Sequence, residues 1–412
     1  MSRCDTEILI VGGGAAGLSA AVAASAKASV TIVDDNPYLG GQIWRAELGK
    51  TKSIDARKLI DRISAGNIRI QNNARVFSSE NRSCLLAETQ EGRLELTFEK
   101  LIIATGARER FLPFPGWTLP GVFGAGGLQA MVKGGMSVAG KRIVVAGTGP
   151  LLLAVAEFLK QRGAKVVAII EQASVGSIRR FATGLWRYPA KLSQAAALRM
   201  RLGSISYMAG SWVTSVSGDG KLESITINRG GKPLTVGCDF LACGFHLVPN
   251  TELAALLNCR ILNGFVKVND LQQTSVEDIY CAGEPTGIGG VEASLIKGTI
   301  AGLAASGQTD EALSKSKRRN KTRGFENAMN AAFSLRNELK NIATADTIVC
   351  RCEDVKCGSL VDLSSFRDAK LQTRCGMGPC QGRICGPATE FLFDWEPPSV
   401  RPPIFPVKME NL

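Results

Sequence analysis

Glu7-Ile-Leu-Ile-Val-Gly-Gly-Gly-Ala-Ala-Gly17, the Ala-rich run 18–27 and then Ser29-Val-Thr-Ile-Val-Asp34 decide the fold. The apolar run 7–11 reads as a short buried strand, 18–27 as a helix and the β-branched run 29–33 as a second strand. Gly12 permits the tight turn, Gly14 lets a pyrophosphate approach the backbone, and Gly17 lets the helix pack on the strand. The helix N-terminus adds N–H donors and partial positive charge. Asp34 stands where ribose hydroxyls are read. A G-x-G-x-x-G alone is weak evidence, but here strand, loop, helix and acid agree on a dinucleotide site.

A second unit of the same kind runs from Arg142 to Glu171. Arg142-Ile-Val-Val-Ala146 is the strand, Gly147-Thr-Gly149-Pro the turn, 151–161 the helix, 165–170 the next strand and Glu171 the acid. Leu152 stands where a third glycine or alanine belongs. A branched side chain there is expected to push the helix off the strand and narrow the pyrophosphate site, so this second site reads as degenerate. The fold class is α/β: two nested dinucleotide-binding, Rossmann-like domains and a small C-terminal helical domain.

Three further segments point to FAD. Gly40-Gly41-Gln42 lets backbone pass close to a flavin nucleotide. The strand 101–104 ends in Thr105-Gly106. The strand 278–282 closes on Gly283-Glu284, where Glu284 is placed for the ribityl chain, and Gly289-Gly290 opens the next helix. In this order they resemble the flavoproteins with two dinucleotide folds that include thioredoxin reductases, over about residues 5–305. That group usually has Gly-Asp at the last position, so Glu284 departs by one methylene.

Composition narrows the chemistry. The chain has 412 residues, 12 cysteines and one histidine, His246. One histidine excludes Cys2His2 fingers, HExxH proteases and Rieske clusters within a single chain. The net charge of +12 favours anionic partners without selecting nucleic acid, and none is expected. The N-terminus carries acids and has no signal-peptide pattern, and no stretch reads as a membrane span. Twelve cysteines in such a chain argue for thiols or metal ligands rather than disulfides. The expected location is the cytoplasm, peripheral to the inner face of the membrane at most.

No C-x-x-C dithiol lies in the second unit and no C-x4-C follows Gly41, so disulfide-reductase chemistry is not expected. Cys4, Cys84, Cys238, Cys243, Cys259 and Cys281 read as buried small hydrophobes. Six of the 12 cysteines fall in residues 346–395. Cys350-Arg-Cys352 is C-x-C, and Cys375-Gly-Met-Gly-Pro-Cys380-Gln-Gly-Arg-Ile-Cys385 adds three cysteines. C-x-C brings two sulfurs to one turn, and the glycines let backbone N–H groups face sulfur. A structural zinc Cys4 site is the blander alternative.

Cys350-x-Cys352-Glu353 with Thr373-Arg-Cys-Gly-Met-Gly-Pro-Cys-Gln-Gly-Arg-Ile-Cys385 resembles the bacterioferritin-associated-ferredoxin type of [2Fe–2S] module. The resemblance implies Cys350, Cys352, Cys380 and Cys385 as ligands, with Cys357 and Cys375 spare and Cys375 the rival of Cys385. Together with Asp34-Asp-Asn-Pro and Gly40-Gly-Gln-Ile-Trp-Arg45, the chain resembles the A (α) subunits of two-component opine (nopaline/octopine) oxidases, hydrogen cyanide synthase and D-hydroxyproline dehydrogenase.

That resemblance implies several things. FAD and a [2Fe–2S] cluster belong to this chain, and FMN lies near the interface with a B (β) subunit similar to D-amino-acid oxidases. The B subunit oxidises the substrate, and a quinone or cytochrome accepts the electrons. No catalytic residue is expected here, and His246 reads as structural or flavin-adjacent. A self-contained NAD(P)H-dependent iron–sulfur reductase is the alternative.

The expected domains are 1–135 with 246–307 for FAD, 136–245 for the second nucleotide fold and 346–395 for the cluster. Between them lies a basic linker, 308–345, with six basic residues in 315–323. A Pro-rich tail, 396–412, is expected to be extended with little structure of its own and strapped to a neighbour.

Overall fold

The computed structural model describes residues 2–44, 54–397 and 399–412. Arg45 of the Gly40–Arg45 motif and Pro398 of the tail lie outside them. The chain divides into two compact units: Met1–Arg108, Val248–Glu326 and Ser399–Leu412 form one, and Glu109–Leu247 with Asn327–Pro398 the other.

In the first unit the strand Ser2–Val11 lies between Val30–Val33 and Gly92–Ile103, parallel to both. Ile68–Gln71 extends the sheet beyond Val30–Val33. The short strand Ile279–Cys281 pairs in parallel with the end of Gly92–Ile103. Its register sets Val11 beside Ile103 and Ile103 beside Cys281. Three strands thus end level, and the loops that follow them open on one rim, where α/β sheets bind ligands. Helices Ala15–Ala24 and Gly290–Ala305 cover this sheet. Gly298 and Gly302 let the two helices nearly touch: a Cβ on either would lie 2.1–2.2 Å from the carbonyl oxygens of Ala16 and Ala20.

The tail belongs to this unit. Ile404 N donates to Phe77 O at 2.7 Å, and Glu88 accepts from the Lys408 backbone and Asn411 side-chain N–H groups. Ile404 is buried against the strands. The strap therefore runs over its own chain, and apolar burial at Ile404 explains why a Pro-rich segment is held.

The second unit carries a five-stranded parallel sheet in the order Ser206–Ala209, Lys165–Glu171, Arg142–Thr148, Phe240–Phe245 and Val122–Gly124. A three-stranded antiparallel meander, 211–237, packs beside it. The boundary expected at 245/246 lies two residues on, at 247, while the one expected at 135/136 falls instead near 108. The reason is that Val122–Gly124 pairs with Phe240–Phe245 and so belongs with the second sheet.

The cysteine module also packs into this unit rather than standing apart. Leu335, Leu339, Ile342, Ile348 and Phe391 join the core built on Val144, Ile170 and Leu241. Trp117 Nε1 donates to Ile348 O at 2.6 Å. The basic stretch 315–323 lies within a helix, Thr309–Ala332, so the expected linker begins as 24 residues of helix. Among the described residues, no helix is long and apolar enough to cross a membrane.

Candidate functional site

The first glycine loop sits on the rim of the first sheet. Gly12 has φ +111°, and a Cβ there would lie 2.3 Å from Ala104 O. A Cβ at Gly17 would lie 1.8 Å from Gly12 O, so only glycine lets the helix start this close to the strand. Gly14 caps Ala15–Ala24 in extended conformation with no side-chain cap, which leaves that end for an anion. A Cβ on Gly41 would lie 3.0 Å from Gly14 Cα, so Gly40-Gly41 closes over the loop at backbone distance.

Asp34 is buried. Its Oδ2 accepts from Gly13 N at 2.6 Å and its Oδ1 from Asn36 N and Nδ2 at 2.8 Å. Gln42 is exposed at the start of the short helix Gly41–Trp44. Thr105 Oγ1 donates to Asn250 O at 2.6 Å, and Asn250 returns Nδ2–H to Thr105 O and backbone N–H to Gly106 O. Gly283, at φ +83°, lets the strand end pass Ala16, whose methyl would lie 2.9 Å from a Cβ there.

Glu284 is folded back on its own chain. Its two carboxylate oxygens accept from Gly289 N and Gly290 N, both at 3.0 Å, and cap helix Gly290–Ala305. Burial holds its carboxyl above the usual range. Gly12, Gly14, Gly17 and Gly41 form a cradle at backbone distance, beside the uncapped start of helix Ala15–Ala24. The cradle fits the phosphates of FAD.

The second glycine loop is arranged differently. Glu171 is fully buried; its Oε2 accepts from Gly149 N at 2.7 Å and its Oε1 from Ala173 N at 2.8 Å. Burial pushes its carboxyl up to about 7. Leu152 is fully buried, and its Cδ2 lies 3.7 Å from where a Cβ on Gly244 would stand, an ordinary contact distance. Thr148 Oγ1 donates to Phe333 O at 3.1 Å, and His246 Nε2 meets the same carbonyl at 2.7 Å. His246 thus holds backbone, at a left-handed φ of 71°, and burial holds its ring below the usual histidine range.

In the cysteine module, the sulfurs of Cys350, Cys375 and Cys385 lie within 4.8 Å of one another. Cys380 is near enough to Cys385 and to Cys352 to shift their titration. Three sulfurs therefore converge, with Cys380 and Cys352 in their neighbourhood. Backbone N–H groups of Gly376 and Glu353 face Cys350, those of Gly382 and Ile384 face Cys380, and that of Cys380 faces Cys352.

Gly378 is needed because a Cβ there would lie 2.3 Å from Cys352 Cβ. Thiol and N–H donors hold Cys350 down to about 2 and Cys380 down to about 5, while hydrogen-bonding to Cys350 pushes Cys375 up to about 12. Cys352 is exposed, Cys380 is half-buried and the other three are buried. A convergent sulfur set ringed by N–H donors suits an iron–sulfur cluster.

The match to known proteins settles the family. The pyridine nucleotide-disulphide oxidoreductase model matches residues 6–312. The chain belongs to this pyridine nucleotide-disulphide oxidoreductase family.

Within the family it is 30% identical to the HcnB subunit of hydrogen cyanide synthase of Pseudomonas aeruginosa, over 92% of this chain and 90% of that one. It is also 30% identical to the A subunit of the opine oxidase of Rhizobium meliloti, over the same shares. The chain is an oxidoreductase, and both of these relatives are named as subunits of larger enzymes. The fold is shared with an L-proline dehydrogenase from P. horikoshii, at TM-score 0.72 and 17% identity over all of this chain and 80% of that one. T. acidophilum thioredoxin reductase covers 74% of this chain and 99% of its own, at TM-score 0.57 and 23% identity.

In this family chain, then, Gly12, Gly14, Gly17, Asp34 and Gly41 lie together at one loop. Thr105, Gly106 and Gly283 lie at the ends of neighbouring strands of the same sheet. Glu284 is turned to its own helix. Cys350 and Cys385 are brought together with Cys375, which the sequence leaves as a spare. Its position one residue before the glycine of Arg-Cys-Gly-Met-Gly-Pro was the available signal. Phe333 and Gln172 carried no sequence signal, because neither belongs to a motif.

Proposed function

We propose that this chain is the electron-transfer subunit of a two-subunit flavin and iron–sulfur dehydrogenase that cleaves an opine, nopaline or octopine, to a keto acid and an amino acid. The observation that carries this reading is the convergence of the Cys350, Cys375 and Cys385 sulfurs, with Cys380 and Cys352 beside them and backbone donors around them. The kinship with the A subunit of opine oxidase supports the substrate class.

Gly12, Gly14 and the start of helix Ala15–Ala24 would hold the FAD pyrophosphate, with Asp34 ordering the loop through Gly13. Gln42, Thr105, Gly106, Gly283 and Glu284 would border the rest of the flavin nucleotide. Cys350, Cys352, Cys380 and Cys385 would hold a [2Fe–2S] cluster. When bound, the flavin takes two electrons and releases them singly, and the cluster stores one at a time.

The substrate chemistry lies in a partner subunit resembling D-amino-acid oxidase. That subunit takes a hydride from the carbon next to the secondary amine, and water then splits the imine into keto acid and amino acid. FMN would sit at the interface between the subunits. A quinone or cytochrome outside the complex would receive the electrons, and any association with the membrane would be peripheral. Dye reduction by the two-subunit complex, compared across nopaline, octopine, hydroxyproline and glycine, tests this. Turnover confined to one of the opines is expected. Turnover of none of the four would remove the substrate class.

A further inference from the structure

The second dinucleotide fold poses a question of its own, beyond the relay reading. A nicotinamide dinucleotide on such a fold lies over the glycine loop at the helix start, with its ribose at the acid that ends the second strand. Each of those positions is engaged by the chain itself. The Phe333 side chain is 5% exposed and its ring faces Gly149: a Cβ there would stand 4.0 Å from Cγ of the ring. The Phe333 carbonyl accepts from Thr148 and lies 2.7 Å from His246 Nε2.

At the strand end, Gln172 donates through Nε2 to Thr148 Oγ1 and Ser334 O, and its Oε1 accepts from Arg336 N. Glu171 is turned inward to Gly149 and Ala173. Phe181, on the helix after the acid, stacks edge-on against Phe333 with ring centroids 5.3 Å apart. Arg336 is anchored in turn, its guanidinium 4.3 Å from the centre of the Trp212 ring.

We infer that residues 333–336 fill the second nucleotide site as an internal plug, and that Phe333 is the residue that denies this chain NADH and NADPH as electron donors. The nucleotide fold is retained as a seat for the segment that leads into the cysteine module. The ring covers the loop where a pyrophosphate would lie, and the carbonyl takes the Thr148 hydroxyl. Gln172 no longer offers its amide to a ribose. A dinucleotide would have to displace a buried aromatic ring and at least four hydrogen bonds at once.

The test uses the full-length, flavin-loaded chain. NADH, NADPH and ADP-ribose are titrated by calorimetry, and flavin bleaching by NADH and NADPH is followed anaerobically. The wild type is expected to bind none of the three up to millimolar concentration and to keep its flavin oxidised. Phe333→Ala is expected to gain at least a tenfold stronger affinity for ADP-ribose, while Phe333→Leu, which keeps the loop covered, stays like wild type.

Gln172→Ala, which removes the hydrogen bonds holding residues 334–336 and so frees Phe333 to leave the loop, gives a second route should Phe333→Ala fold poorly. A smaller gain for ADP-ribose is expected from it. Micromolar binding of NADH or NADPH to the wild type overturns the inference. So does the absence of any gain in a folded Phe333→Ala or Gln172→Ala chain. Neither result bears on opine-driven reduction of the complex, so the relay reading stands or falls separately.

Discussion

Cys375 is the residue at which sequence and geometry pull apart. Its sulfur lies within 4.8 Å of those of Cys350 and Cys385, while the motif resemblance leaves it spare. Cys→Ser at 350, 352, 380 or 385 is expected to abolish the visible iron–sulfur absorbance and the EPR signal, with Cys375→Ser retaining both. If Cys375→Ser abolishes them and Cys385→Ser spares them, the two residues exchange roles.

Glu171 supports a second prediction at this scale. Its folded carboxyl titrates at about 7, above the usual 4.5, because burial disfavours the anion. The folded chain therefore holds this proton more tightly than the unfolded chain does. Stability falls as pH rises from about 4.5 to about 7, by up to roughly 3 kcal/mol. Denaturant midpoints against pH should show this slope in the wild type and a flatter line in Glu171→Gln. A wild-type curve that rises over the same window would contradict it. The sequence placed Glu171 at a strand end but could not show that its carboxylate turns inward to the loop, because that depends on which groups surround it in three dimensions.

Among the elements, the strands and helices beside the glycine loops were legible because short apolar runs bounded by glycine fix them locally. Less legible was the helix Thr309–Ala332, whose basic run carries no strong apolar stripe, and the three-residue strand Val122–Gly124, which exists through its pairing with Phe240–Phe245. The contact of helices Ala15–Ala24 and Gly290–Ala305 depends on pairs such as Gly302 and Ala20, far apart in sequence. Gly302→Ala would push a methyl against the Ala20 backbone. It should cost about 1–3 kcal/mol and lower the melting temperature by several degrees. An unchanged melting temperature would mean that the helices separate without cost.

The tail makes a parallel case. Ile404→Asp puts a charge where an apolar side chain is buried against the sheet. It should release residues 399–412 to protease while Ile404→Val does not. Equal protection in both would show that hydrogen bonds alone hold the strap.

At the scale of the whole molecule, the two nucleotide folds share one design and have separate fates. Both place an acid's oxygen on an N–H of the glycine loop: Asp34 on Gly13 and Glu171 on Gly149. The first loop meets an uncapped helix start, and the second meets Phe333. The sequence expectation of a degenerate second site rested on Leu152, which is fully buried beside the loop. Phe333, on which the proposed plug turns, lies 181 positions further on, outside any motif. Substrate choice was never legible here, since no substrate-binding constellation stands in this chain's motifs.

The central claim is that electrons enter from an amine-oxidising partner and pass to the cysteine module. Low-temperature EPR of the anaerobic two-subunit complex, recorded after adding nopaline or octopine and separately after adding NADH, tests it most directly. A reduced [2Fe–2S] signal is predicted with the opine, none with NADH, and none with opine when the partner is left out. A cluster reduced by NADH in this chain alone, or one that stays oxidised while the complex turns over opine, would contradict it.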